Sequence, residues 1–194
     1  MKIIWIIFPL LLLNFGCIKN DIKFPERKDV LTTEFSEFEN FFPLATLDLS
    51  KKGIKEKIHI IFVSFNYNGK ENDENFPKNE SMGNFTFKIQ ENGLYKPTFS
   101  KNALKIEKDY KKYFIANRNK FLKAKAENKN VFEFIEEFEN PEWWQADETP
   151  INSKGEKFKF ICQFEMNNIC DDDCCVYVFY DETDKEVKYI HQYD

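Results

Sequence analysis

The chain lacks the short motifs that mark common catalytic folds. It has no Gly-x-Ser-x-Gly elbow, phosphate-binding loop, dinucleotide fingerprint or His-Glu-x-x-His pair. Histidine is scarce, with two copies, His59 and His191, so acid–base centres built on imidazole have few candidates. Positive charge is also in deficit: 28 basic residues face 33 acidic ones, for a net charge of −5. That balance argues against nucleic acid as a partner and gives no polybasic signal for anionic lipid. The apolar run Ile3–Phe15 is shorter than the roughly 20 residues a membrane span needs. No internal repeat is present.

Phenylalanine, by contrast, is abundant, with 22 copies. Aromatic side chains bury large areas, so 194 residues suffice for one well-packed domain plus a targeting segment.

The targeting segment is the N-terminus. Met1-Lys2 forms a minimal positive region, Ile3–Phe15 has the length of a signal-peptide apolar region, and Gly16-Cys17 closes it. A small residue followed by Cys at this place resembles the lipobox of bacterial lipoproteins. The resemblance implies cleavage before Cys17 and acylation of Cys17, with palmitate-type chains holding the protein to a membrane of the cell envelope. Ordinary secretion, or release into the periplasm, is the alternative. Residues 1–16 are therefore read as signal peptide, 17–30 as a lipid-anchored tether, disordered for want of apolar periodicity, and 31–194 as one domain.

Within that domain, Phe35, Phe38 and Phe42 fall at helical spacing behind Thr33, with Pro43 ending the helix. Lys57–Tyr67 reads as an interior strand covered on both faces. Phe85, Phe87 and Ile89 alternate as one inward strand face, followed by an Asn92-Gly93 turn. Residues 100–128 read as one long amphipathic helix capped by Ser100, its outer face largely Lys, which is most simply a solvated surface and otherwise a docking site for an acidic partner. Val131, Phe134, Ile135 and Phe138 suggest another helical turn or two, or else a strand. Three strands close the chain: Phe158, Phe160, Cys162 and Phe164 share one face of the first, Cys174–Tyr180 is apolar on both faces, and Glu186–Tyr193 alternates. Short polar connections make this an antiparallel meander, and helices segregated from strands make the class α+β.

From Pro141 onward the order is Pro-x-Trp143, Gln145, Asp147-Glu148-x-Pro150, a turn with Gly155, Phe160-Ile161-x-Gln163-Phe164, an acidic loop, Val176–Tyr180, and Ile190-x-Gln192. This resembles the C-terminal part of the YwqG-like family, a group without an established activity. Cys162 stands where that family tends to have Gly. The resemblance implies a mixed fold with a curved antiparallel sheet and carries over no catalytic residue.

Four cysteines cluster late in the chain: Cys162, Cys170, Cys174 and Cys175. In an oxidising compartment they could form a disulfide across the hairpin, or stay as buried thiols. Zinc fits poorly, because Cys174 and Cys175 are strand neighbours whose side chains point to opposite faces. Asp171–Asp173 offers oxygens to calcium, but without calcium-loop spacing. Trp143 and Trp144 form an aromatic pair that would serve as a recognition surface rimmed by Gln145, Asp147 and Glu148. The plainer alternative puts one Trp in the core and pairs the polar residues with turn amides.

These features favour a membrane-anchored lipoprotein whose domain binds another protein of the envelope, or is structural, without a catalytic residue, metal or cofactor. The alternatives are a thiol enzyme pairing Cys175 or Cys174 with a histidine, and an immunity-type protein that neutralises a toxin.

Overall fold

The computed structural model describes residues 21–64, 84–137, 139–169 and 173–193. Strands β1 (Ile22–Lys23), β2 (Phe41–Asp48) and β3 (Lys57–Val63) form one antiparallel sheet in that order. Between β1 and β2 lie two single-turn helices, α1 (Arg27–Val30) and α2 (Thr33–Ser36). A second sheet holds β4 (Phe85–Ile89), β5 (Tyr95–Pro97), β6 (Ile135–Glu136), β7 (Lys159–Glu165), β8 (Cys174–Asp181) and β9 (Glu186–Tyr193). Its order is β5-β4-β9-β8-β7-β6, with antiparallel pairings. The longest helix is α3 (Lys111–Ala126). The class is α+β, and β7–β8–β9 is the C-terminal meander that the short polar connections predict.

One apolar cluster joins the two sheets, taking in Phe41, Phe42, Ile58 and Ile60 from one and Phe87, Val178 and Tyr189 from the other. Its rings interlock. Phe87 lies 5.4 Å from Tyr189, 5.6 Å from Tyr95 and 6.3 Å from Phe41, and Phe42 lies 5.1 Å from Phe121 of α3. Full burial of a Phe contributes about 1.5–3 kcal/mol, and a good ring contact about 0.5–1.5 more. The ion pairs contribute less: Lys96–Glu34 at 3.0 Å and Arg118–Glu39 at 3.2 Å are both solvent-exposed, and such pairs contribute about 0–1 kcal/mol.

Several expectations need correction. The described part of the expected tether, residues 21–30, is folded: β1 pairs with β2, and Phe24 and Val30 are buried in the core. The helix expected up to Pro43 is one turn only. Phe41, Phe42 and Pro43 belong to β2 instead, opposite Val63, Phe62 and Ile61. The register slips between Pro43 and Ala45, and a bulge is a place in a sheet where a missing N–H is tolerated. The helix expected over 100–128 is also shorter. Ser100 Oγ does cap, accepting from Asn102 N at 3.2 Å, but it caps a 3₁₀ turn at Lys101–Leu104 that stops well before α3. Val131–Glu133 is a 3₁₀ turn, and the strand alternative holds at β6. In β7 the register slips between Phe160 and Cys162. Phe158 and Phe160 therefore join the outer cluster of the large sheet, while Cys162 and Phe164 join the core between the sheets. The single face expected for those four residues is split by the bulge.

β3 is the free edge of the small sheet, yet it is buried from Ile58 to Val63. Its main-chain groups at His59 are closed by the other sheet. The His59 N–H donates to Tyr95 Oη at 3.0 Å, and the Tyr189 hydroxyl donates to the His59 carbonyl. An unpartnered buried peptide group costs about 1–3 kcal/mol. Tyr95→Phe and Tyr189→Phe, each of which removes one partner and little volume, should each lower unfolding free energy in urea by about 1–3 kcal/mol with an unchanged slope.

Candidate functional site

The residues from Pro141 to Pro150 cross the outer side of the large sheet as an irregular strap. Two prolines and a run of exposed polar residues keep it out of regular structure. It is held by polar side chains from three neighbouring strands. Gln163 of β7 accepts from Glu142 N at 2.8 Å. Tyr177 of β8 accepts from Trp144 N at 2.8 Å and donates to the Glu142 carbonyl at 2.9 Å. Gln192 of β9 accepts from Gln145 N at 2.9 Å and donates to the Ala146 carbonyl at 2.7 Å.

The aromatic pair divides between two environments. Trp143 is half-buried, its ring 4.5 Å from Tyr177 and 5.8 Å from Phe179, stacked on the latter at 17°. Trp144 is 39% exposed. The polar residues around it have partners of their own. Gln145 Nε2 donates to the Tyr193 carbonyl at 2.5 Å, and Asp147 accepts from Thr149 N and Oγ1 at 2.8 and 2.6 Å. Glu148 accepts from Gln192 at 3.2 Å and Asn84 at 3.5 Å. The Thr149 hydroxyl and amide hold the Asp147 carboxyl below its usual range. Trp144, Gln145, Asp147 and Glu148 thus share an exposed edge, and Trp143 is the stacking anchor beneath it.

Cys162, Cys174 and Cys175 are buried, with no disulfide among the three. Cys174 and Cys175 do point to opposite faces of β8, one into the core and one into the outer cluster. Cys162 shares the core face with Cys174 but pairs with Val178, four residues along β8. That offset is about 13 Å of strand, well beyond a disulfide's reach. Cys17 and Cys170 lie outside the described residues, as do Asp171 and Asp172. Burial pushes the Cys175 thiol up to about 11 and the Cys162 thiol higher still. His191 of β9 lies opposite Val176, diagonal to Cys174 on the core face, with Phe85 edge-on at 5.4 Å. Cys175 is on the other side of the sheet from it. Among the described residues no three His, Cys, Asp or Glu side chains converge as a metal would require.

The sequence reading missed two features. Gln163, Tyr177 and Gln192, which stand among the residues of the YwqG-like resemblance, act as clamps for the strap, a role marked by nothing beyond polarity in otherwise apolar strands. The second is a polar cleft of about 620 Å³ lined by Glu56, Lys57, His59, Glu91, Gly93 and Lys185. In it Glu56 accepts from Tyr180 Oη at 2.6 Å and from Lys185 Nζ. Burial opposes the Glu56 charge, but these bonds outweigh it and hold the carboxyl below its usual range. His59 Nδ1 lies 2.9 Å from Thr46 Oγ1, and Nε2 lies 3.4 Å from the Gly93 carbonyl. A carbonyl only accepts, so Nε2 carries the proton and Nδ1 accepts from Thr46. No protein-family model, curated protein or solved structure matches this chain.

Two measurements check this geometry. Trp143→Ala should cost about 2–4 kcal/mol of stability through the lost ring contacts, whereas Trp144→Ala should stay within about 0.5 kcal/mol. Burial lowers His59 to about 4 from its ordinary 6.5. Between those values the unfolded chain binds a proton that the folded chain does not, so stability falls as pH drops through that window. Relative to His59→Gln, the native protein should lose up to about 3 kcal/mol between pH 7 and pH 4 in urea titrations.

Proposed function

We propose that this chain is a lipid-anchored protein of the bacterial cell envelope whose α+β domain serves binding or structure rather than catalysis. The observation that carries the proposal is the leader: Met1-Lys2, the apolar run Ile3–Phe15, and Gly16-Cys17. The placement of Cys175 supports it over thiol chemistry at that residue, whereas Cys174 shares the core face with His191 and is buried in the cluster between the sheets. Cys175 is separated from His191 by the sheet, and burial keeps its thiol protonated at neutral pH.

The exposed edge at Trp144, Gln145, Asp147 and Glu148 is the surface assigned to a partner, most simply another envelope protein. The residues behind the YwqG-like resemblance support reading Pro141–Gln192 as one unit, since they contact one another. Gln145 meets Gln192, Gln163 meets Glu142, and Trp143 meets Tyr177 and Phe179.

The test is the intact mass of the chain purified from bacterial membranes, beside a Cys17→Ala variant. An acyl mass gain in the native chain that disappears in the variant is expected. An unmodified chain in both preparations would contradict the anchor and return the function question to a soluble compartment.

A further inference from the structure

α3 carries six Lys or Arg side chains and no carboxylate, although the whole chain has a net charge of −5. Its buried side is Asn117, Phe121 and Ala124. At about 100° per residue, the opposite side presents Lys111, Lys112, Ile115, Asn119, Leu122 and Lys123, and all six are exposed. Ile115 and Leu122 are each 44% exposed, two turns apart on one stripe with lysines around them. Lys111 and Lys112 have no carboxylate partner among the described residues, and Lys112 Nζ lies 4.6 Å from the Tyr113 ring centroid. Lys123 lies 4.0 Å from Glu127 in an exposed pair, and on the flanks Arg118 and Lys125 are engaged by Glu39 and Glu26 of the same domain.

The second observation is where the chain enters the domain. Phe24 lies edge-on to Phe121 at 5.8 Å, Lys23 Nζ donates to the Asn128 carbonyl at 3.3 Å, and Glu26 pairs with Lys125 at 2.8 Å. The first described residues therefore run beside the C-terminal half of α3. Five residues lie between Cys17 and Lys23, a reach of at most about 20 Å. α3 itself, at 16 residues, is about 24 Å long.

We infer that the outward face of α3 docks on anionic headgroups of the membrane that holds Cys17, with Ile115 and Leu122 entering the headgroup layer. The inference rests on the lipid-anchored reading above. Net charge does not decide it, because charges are screened beyond about 8 Å at physiological salt and the face in question is locally cationic. Nor does the contact need intrinsic strength, since the anchor makes it intramolecular. The apolar side of α3 is packed on the domain, so the lysines carry the contact and Ile115 and Leu122 add a small buried area to it.

The experiment reconstitutes the membrane-extracted chain into vesicles of neutral phosphatidylcholine and into vesicles with about 30% phosphatidylglycerol. Lysine acylation read by mass spectrometry then reports each site. On the anionic vesicles Lys111, Lys112 and Lys123 should label about threefold or more slowly than on neutral ones, while Lys154 labels equally on both. Ile115→Glu with Leu122→Glu, both at exposed positions, should return the three lysines to the neutral-vesicle rate. Equal labelling on both vesicle types, with the chain co-sedimenting with both, would overturn the docking and leave the anchor standing. A chain that co-sediments with neither and carries no acyl mass would overturn the anchor and the docking together.

Discussion

The main-chain N–H and carbonyl of His59 are closed by the hydroxyls of Tyr95 and Tyr189, and the union of the two sheets depends on that closure. An edge strand normally faces water, where its peptide groups are solvated. β3 instead lies inside, between its own sheet and the rings of the larger one. Without the two tyrosines its burial would leave main-chain groups unpaired at a cost comparable to a good part of a domain's net stability. The His59 side chain reinforces the arrangement, because it reaches the Gly93 carbonyl in the turn that leads into β5 and hence to Tyr95. Gly93 sits at φ 82°, a left-handed conformation that glycine adopts without strain. Edge, turn and tyrosine are thus one linked unit.

The second organising feature is the bulge at Ile161 in β7. Before it, Phe158 and Phe160 face the outer cluster; after it, Cys162 and Phe164 face the core. The large sheet is thereby apolar on both sides at its centre, and β8 is buried along its whole length. Its outer side is covered by the Pro141–Pro150 strap, with Trp143 as the apolar contact and Gln163, Tyr177 and Gln192 as the polar ones. A cover built this way leaves Trp144 and its neighbours facing solvent on a fixed support. The geometry suits recognition, since an exposed aromatic on a rigid backbone loses little entropy on binding.

Much of this was legible in the residues, and the misses share a cause. Alternation placed β4 and β9, and runs apolar on both faces placed β8 and the described part of the Lys57–Tyr67 strand, β3, whose residues 65–67 lie outside the described residues; with them came the fold class and the meander. The Asn92-Gly93 turn and the Ser100 cap were also legible. What failed was every place where the backbone departs from a regular period. Phe35, Phe38 and Phe42 match a helical spacing, but Phe41 and Phe42 bury better opposite Val63 and Phe62, and Pro43 falls near a bulge that spacing does not reveal. The Ile161 bulge is equally silent in sequence. Residues 21–30 looked like a tether because their buried side chains, Phe24, Pro25 and Val30, follow no period, and the pairing of β1 with β2 leaves no signal in two residues. The division of labour between Trp143 and Trp144 was foreseen as one alternative; the Gln and Tyr clamps were not, because a lone polar residue in a strand has no periodic signature.

The most direct test of the central claim is native-state hydrogen exchange at the His59 amide, measured on the full chain. If the Tyr95 hydroxyl closes this edge, the amide should exchange only through global unfolding, with a protection free energy equal to that from urea titration. Exchange as fast as that of an open edge strand, with the core amides of β8 still protected, would show that β3 is accessible to water and that the two sheets are joined by their rings alone.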